Sequence, residues 1–202
     1  TPVFEFLSRG RSTANITGEK ITEYQVPTLN EALEWARGRT VLVLDKKDVS
    51  VEACVKKIEQ HQAEAYAMVM VYNLLSVREC YDLNQNIMME VMLGNRERYH
   101  EFDKTGVPWS NVAVFVSHTP PQDKELLDMI HAKGACCLAG TSRNLDRQLR
   151  REGSSAELEQ GYRILLQKGI DLIETDLPTQ VGSLLYAEPA IPASKARYFR
   201  KR

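Results

Sequence analysis

Six short apolar runs separated by amphipathic segments are the feature that most limits what this chain can fold into. The runs are almost continuous in Val, Ile, Leu, Met or Ala, and they recur at nearly even intervals until a longer last one. They span residues 40–45, 65–72, 87–93, 111–117, 135–139 and 172–176. Runs of this length without polar alternation are typical of strands covered on both faces. Strands that alternate with helical patterns indicate βα repeats, so the sequence predicts a parallel α/β sheet.

Helical patterns with their own start signals lie between the runs. Thr28 and Glu31 have the spacing of a capping box ahead of an apolar repeat. Ser154 and Glu157 have the same spacing and predict a second capped helix. The longest interval contains residues 141–155, which are rich in Arg. A loop of that length in a βα unit is often functional and is otherwise mobile, so both interpretations are open.

Chain length sets the number of βα units. A closed eight-stranded βα barrel usually needs about 250 residues, whereas this chain has 202 residues and six strand-like runs. We predict a single domain, in which residues 1–25 form a loop, residues 26–189 the βα repeats and residues 190–202 a basic tail. The architecture is then either an open six-stranded sheet or a barrel whose first two units lie outside the chain.

Composition limits the partners that the chain can have. Charged residues make up 26% of the chain but balance to a net charge of -1, which argues against nucleic acid or an anionic membrane as a partner. No apolar stretch of the sequence is long enough to cross a bilayer. The four cysteines match no metal-finger spacing, so buried free thiols are predicted at Cys54, Cys80, Cys136 and Cys137.

One acid and two bases close the first apolar run, and they are the most informative residues for function. Asp45, Lys46 and Lys47 follow four apolar residues directly. Because side chains alternate along a strand, Asp45 and Lys47 are predicted to share a face. Parallel α/β folds build active sites at the carboxyl ends of strands, where such a pair could hold a divalent metal and a phosphate. The alternative is an incidental charge pair in a solvated loop.

Three further positions have two interpretations each. Glu90 interrupts a Met-rich run, and a carboxylate there is costly unless it is paired or binds a ligand. It is therefore a substrate or metal contact, or the partner of a cation on a neighbouring strand. His118 follows the fourth run and either lines a site or is a satisfied loop histidine. Tyr72, with Asn73, either contacts substrate or ends a strand.

Three segments together resemble the glycerophosphodiester phosphodiesterase family. Residues 26–33, VPTLNEAL, are similar to its "IPTLEEAL" segment, and residues 43–47, VLDKK, to its strand motif "(L/I)-E-(I/L)-K". Residues 169–178, GIDLIETDLP, are similar to its "GVDGIITDxP" ending. The resemblance covers roughly residues 26–189. It implies a TIM (β/α)8 barrel whose strands three to eight lie in this chain, and metal-dependent hydrolysis of a small-molecule glycerophosphodiester to glycerol phosphate and an alcohol.

The resemblance also implies roles for individual residues. Asp45 takes the place of a metal-binding Glu one methylene longer, so the expected cofactor is a divalent cation, Mg²⁺ or Ca²⁺. Lys47 takes the place of a Lys beside the substrate phosphate and is the expected catalytic and substrate-binding cation. Glu90, from the cost of burying its carboxylate and not from the resemblance, is a further expected substrate contact. Thr175 and Asp176 match the Thr-Asp of the last strand, which shapes the barrel mouth.

The sequence departs from the family in its missing motifs. The first two strands of the family, whose "HRG", "ExD" and "HD" segments supply the catalytic histidines and two metal carboxylates, have no counterpart in these 202 residues. We therefore expect no turnover and poor solubility from this chain alone. The rival functions are a non-catalytic barrel remnant that binds phosphate or a partner, and a Schiff-base lyase that uses Lys47. Family grounds favour a periplasmic or secreted location over the cytoplasm, whereas the alcohol, the metal and the oligomeric state stay open.

Overall fold

The computed structural model describes residues 27–185, and all six predicted strands are present in this range. The predicted loop at residues 1–25 and basic tail at residues 190–202 lie outside the described residues. In the sheet the strands follow one another in chain order. They are β1 (Leu42–Asp45), β2 (Ala67–Val71), β3 (Met88–Met92), β4 (Val112–Ser117), β5 (Cys136–Gly140) and β6 (Leu172–Glu174).

A helix follows every strand, and two helices follow β5. The pairings of β1 with β2, β4 with β5 and β5 with β6 are parallel, so the predicted parallel α/β sheet is confirmed. No helix of residues 27–185 has the length and apolar character that crossing a bilayer requires. The helices are α1 (Leu29–Ala36), α2 (Val51–Gln60), α3 (Leu74–Leu83), α4 (Arg96–Asp103), α5 (Lys124–Ala132), α6 (Leu145–Glu152), α7 (Ala156–Gln167) and α8 (Pro178–Leu185).

Contacts divide the chain into two compact units, Thr1–Glu90 and Val91–Arg202. In the first unit, Leu44 of β1 pairs with Val69 of β2, and Asp45 pairs with Met70. Leu44 and Val69 are buried, whereas Asp45 and Met70 are half-buried. One face of these strands therefore forms the core, and the other carries Asp45.

Two strands of the second unit, β4 and β5, are almost completely buried, whereas β6 is largely exposed. Every residue of β4 except Ser117, and every residue of β5 except Cys136, is buried. Tyr162 of α7 is fully buried in a cluster with Leu149, Leu158 and Val181. This cluster holds the helices that follow β5 and β6.

The two predicted capping boxes have different outcomes. At the first, the Thr28 backbone N–H donates to Glu31 Oε2 over 2.7 Å and the Glu31 N–H donates to Thr28 Oγ over 3.2 Å, as predicted. At the second, the prediction is wrong by one residue. Ser155, not Ser154, has the extended backbone of an N-cap, and its hydroxyl accepts from the Leu158 N–H over 3.2 Å.

The cysteines are free thiols, as predicted. Cys54, Cys80 and Cys137 are buried and Cys136 is half-buried. Burial raises the pKa of Cys54 to about 11 and the pKa values of Cys80 and Cys137 to about 12. These thiols are therefore protonated near neutral pH.

Candidate active site

Asp45 and Lys47 are in direct contact at the end of β1. Lys47 Nζ donates to Asp45 Oδ2, and their side chains are 53% and 33% exposed. The predicted proximity is correct, but strand alternation is not its cause, because β1 ends at Asp45 and Lys47 lies in a turn. Its φ is 43°, in the left-handed region that residues other than glycine rarely adopt. The turn directs the ammonium back onto the carboxylate.

Tyr72 completes this group, which we call the Asp45 trio (Asp45, Lys47 and Tyr72). The Tyr72 hydroxyl donates to Asp45 Oδ1, and Lys47 Nζ lies 3.3 Å from the same hydroxyl oxygen. The ammonium is also 5.8 Å from the centre of the Tyr72 ring. Of the two predicted roles for Tyr72-Asn73, strand termination fits Asn73, whose side chain caps α3. Tyr72 instead belongs to the candidate site.

The electrostatics of the trio fix its protonation states. The hydrogen bond to Asp45 raises the pKa of Lys47 above its usual value. Burial and then the hydrogen bond to Asp45 raise the pKa of Tyr72. At neutral pH the site therefore presents an ammonium and a protonated phenol, which together engage both oxygens of one carboxylate.

Glu90 is buried, with 2% of its surface exposed, in the middle of β3. By strand alternation it shares a face with Met88 and Met92, the two more exposed residues of that strand. Met89 and Val91, on the other face, are buried. This location is compatible with the predicted contact to substrate, which stays a prediction.

In the second unit, the Asp146 carboxylate, which was not identified from the sequence, accepts hydrogen bonds from the predicted pair Thr175 and Asp176. Asp146 is fully buried. Its Oδ2 accepts from Thr175 Oγ over 2.9 Å and from the Asp176 backbone N–H over 2.8 Å. Its Oδ1 accepts from the Tyr162 hydroxyl over 2.8 Å. Asp146 therefore fixes the turn that follows β6.

Asp146 escaped identification because residues 141–155 were predicted to be a loop, and that prediction is wrong. They contain α6, which begins after the N-cap Asn144 and buries Leu149. The signal was present in the i, i+4 spacing of Leu145 and Leu149, but the many Arg residues obscured it.

His118 is packed at the end of β4. Its ring lies 4.7 Å from the Phe115 ring, measured between centres, and its carbonyl accepts from the Asn144 side chain. A β-carbon at Gly140 would lie 2.7 Å from His118 Nδ1, so a glycine is needed there for the ring to fit. The ring is packed, but its Nδ1 is buried and has no hydrogen-bond partner among residues 27–185, so the expectation of a satisfied histidine is not met. Its contact with a substrate stays a prediction.

The predicted metal role of Asp45 depends on the donors around it. Within residues 27–185, a group of three His, Cys, Asp or Glu side chains that could hold a metal occurs only at His131, Cys137 and Asp171. Mg²⁺ and Ca²⁺ take six or more oxygen ligands. The described residues around Asp45 thus fit such a cation only in part, with one carboxylate.

Comparisons with known proteins find that the chain is similar to solved phosphodiesterases. A glycerophosphoryl diester phosphodiesterase from Parabacteroides distasonis is 34% identical with a TM-score of 0.78, over 90% of this chain and 62% of that protein. A putative glycerophosphodiester phosphodiesterase from Galdieria sulphuraria has 12% identity and a TM-score of 0.62, over 87% and 70% of the two chains. A putative glycerophosphoryl diester phosphodiesterase from Silicibacter pomeroyi has 16% identity and a TM-score of 0.54, over 81% and 57%. No family model and no curated protein matches.

These relatives confirm the resemblance predicted from the three sequence segments. They also confirm the fold class, strands three to eight of a TIM barrel. The chain spans 62% of the length of the P. distasonis protein. The likeness to the other two proteins, at 12% and 16% identity, supports the fold alone.

Proposed function

We propose that this chain belongs to the glycerophosphodiester phosphodiesterase family and supplies part of a barrel that hydrolyses a glycerophosphodiester to glycerol phosphate and an alcohol. The observation that carries the proposal is the contact of Lys47 with Asp45 at the end of β1, in a chain 34% identical to the P. distasonis phosphodiesterase. Because the chain spans 62% of that protein, the activity and substrate of the whole protein belong to the proposal.

Asp45 is the proposed metal ligand among the described residues. A bound Mg²⁺ or Ca²⁺ would polarise the phosphoryl oxygen and lower the pKa of a bound hydroxyl. Asp45 would contribute one carboxylate oxygen, and the remaining oxygen ligands would come from other residues and water. The Tyr72 hydroxyl fixes the orientation of this carboxylate, as hydrogen bonds to ligating carboxylates do in metal sites.

Lys47 is the proposed electrostatic contact to the substrate. Its side chain is 53% exposed and its ammonium is shared between Asp45 and the Tyr72 hydroxyl, so a non-bridging phosphate oxygen can replace one of these partners. A positive charge held in place in advance stabilises the charge that develops on phosphorus ligands in the transition state. Glu90 would contact the substrate from the more exposed face of β3.

The Schiff-base alternative is disfavoured by the same contact. A lysine nucleophile needs a neutral amine and hence a lowered pKa, whereas Asp45 raises the pKa of Lys47. The barrel-remnant alternative remains as one outcome of the experiment below.

The experiment uses the polypeptide that the gene encodes around this chain, with glycerophosphodiesters and Mg²⁺ or Ca²⁺ present. Glycerol phosphate release is measured for the wild type, Lys47→Met and the matched control Lys46→Met. Lys46 is adjacent but contacts the Val49 carbonyl instead of the trio. We expect Lys47→Met to lower kcat/KM at least about 100-fold and the control to stay within about twofold. No turnover by the wild type, or equal rates for both variants, would overturn the proposal.

A further inference from the structure

A thiol, an imidazole and a carboxylate converge in the second unit, at the amino-terminal ends of β5 and β6. We call them the thiol cluster (His131, Cys137 and Asp171). One ligand atom of each residue lies within 4.8 Å of the others. Cys137 is the second residue of β5, Asp171 immediately precedes β6, and His131 lies in the last turn of α5.

Backbone pairing holds the cluster in place. The Asp171 N–H donates to the Cys137 carbonyl over 2.9 Å, and the Cys137 N–H donates to Asp171 Oδ2 over 2.7 Å. His131 Nε2 lies 2.9 Å from the same Oδ2. The imidazole and the carboxylate are 35% and 44% exposed, whereas Cys137 is buried. Solvent therefore reaches the cluster from the His131 and Asp171 side.

We infer that the thiol cluster binds a transition-metal cation of the Zn²⁺ type. Thiolate sulfur, imidazole nitrogen and carboxylate oxygen form a donor set that suits Zn²⁺ and Co²⁺ but not Mg²⁺ or Ca²⁺. With metal–ligand distances of about 2.0–2.3 Å, a tetrahedral site separates its ligands by about 3.3–3.7 Å. The three ligand atoms already lie within 4.8 Å of one another, so binding requires that they move closer together.

Asp171 is suited to serve the metal and the backbone together. Its Oδ2 carries both hydrogen bonds, while its Oδ1 accepts none from any other residue within 27–185. Oδ1 can ligate the cation while Oδ2 keeps the Cys137 N–H, an arrangement that orients metal ligands in general. Three protein ligands leave a fourth position for water, and the thiol releases its proton to solvent on binding.

The Cys137 thiol distinguishes metal binding from a purely structural role of the cluster. A hydrogen-bonded tether between α5 and β6 needs only His131 and Asp171, so replacing the Cys137 sulfur would not affect it. Metal binding, in contrast, requires that sulfur. Two matched controls are available in the chain. Cys136 is the neighbouring thiol, and His100 lies in the last turn of α4 as His131 does in α5.

The experiment measures Zn²⁺ binding to the polypeptide that the gene encodes around this chain, under reducing conditions, by competition with a chromophoric chelator. We expect one equivalent of Zn²⁺, with affinity at least tenfold lower in Cys137→Ser and His131→Gln and unchanged in Cys136→Ser and His100→Gln. Titration with Co²⁺ should give a thiolate charge-transfer band in wild type and in Cys136→Ser, and none in Cys137→Ser. Circular dichroism establishes that each variant is folded.

Three results would overturn the inference. They are the absence of stoichiometric Zn²⁺ binding by the wild type, an equal loss of affinity in the control variants, and a charge-transfer band that persists in Cys137→Ser. If Cys137→Ser does not fold, Asp171→Asn replaces it, because the amide keeps the shape of the side chain and one acceptor oxygen. Unchanged affinity in that variant also overturns the inference. Neither cation measurement depends on phosphodiesterase activity, so the proposed function and the thiol cluster can fail separately.

Discussion

Two carboxylates, one in each unit, have both of their oxygens engaged but differ in the partners that engage them. Asp45 is partly exposed and bound by an ammonium and a phenol. Asp146 is fully buried and bound by two hydroxyls and a backbone N–H. Solvent or a ligand can replace the hydrogen-bond partners of Asp45, because that carboxylate is partly exposed. The partners of Asp146 are buried with it and are fixed by the fold. The comparison separates a carboxylate available for chemistry from one that holds structure.

The largest expected difference is in stability when each carboxylate is removed. Asp146→Ala leaves buried donors without an acceptor, and we expect it to lower the free energy of unfolding by about 3 kcal/mol. Asp45→Ala removes partly exposed interactions and should cost less than about 1 kcal/mol. Urea denaturation of the two variants measures both values. Equal losses would remove the distinction between the two sites.

The phenols that donate to the two carboxylates provide a smaller test. Tyr162→Phe removes a buried hydrogen bond to Asp146 and should cost about 1–2 kcal/mol. Tyr72→Phe removes an exposed one and should cost less than about 0.5 kcal/mol. Burial and then Asp146 raise the pKa of Tyr162, so its hydroxyl stays a donor throughout the usual pH range. A larger loss for Tyr72→Phe in urea denaturation would contradict the comparison.

A pH titration tests how strongly the Asp45 carboxylate interacts with the Lys47 ammonium. Asp45 raises the pKa of Lys47 above the ordinary value of 10.5. The stabilisation that this pair supplies is therefore fully present below about pH 10.5 and is lost as the pH rises through the raised value in the folded protein. NMR titration of the Lys47 side chain should show a lower pKa in Asp45→Asn. The control is Asp48→Asn, which removes a nearby negative charge. If it lowers the pKa of Lys47 equally, the net charge of the region and not the contact with Asp45 is responsible.

The smallest expected effect is at the surface of the second unit. Arg150 and Asp176 form an ion pair of 3.1 Å in which both side chains are about half exposed. Arg150→Ala should change the free energy of unfolding by less than about 0.5 kcal/mol, and added salt should reduce this difference further. A loss above 1 kcal/mol in urea denaturation would mean that the turn after β6 depends on this pair as well as on Asp146.

The strands were predictable from sequence because nearly continuous apolar runs have few other interpretations in a chain of this kind. The proximity of Asp45 and Lys47 was predictable because the two residues lie only two positions apart in the sequence. The role of Asp146 and the contact of Tyr72 with Asp45 were not predictable, because the partners come from distant parts of the chain. The hydroxyl that reaches Asp45 is 27 positions away, and the residues that reach Asp146 are 16, 29 and 30 positions away. Short sequence patterns do not predict contacts between residues this far apart in the chain.

The hydrogen bonds of Asp146 have a consequence for how the chain can be rearranged. They join α6 to α7 through Tyr162 and to the turn after β6 through Thr175, while residues 153–155 between the two helices are exposed. Cutting the backbone there would leave both sides of the cut fastened to the same buried oxygen atoms. A circular permutant opened at Gly153 should therefore still assemble the second unit.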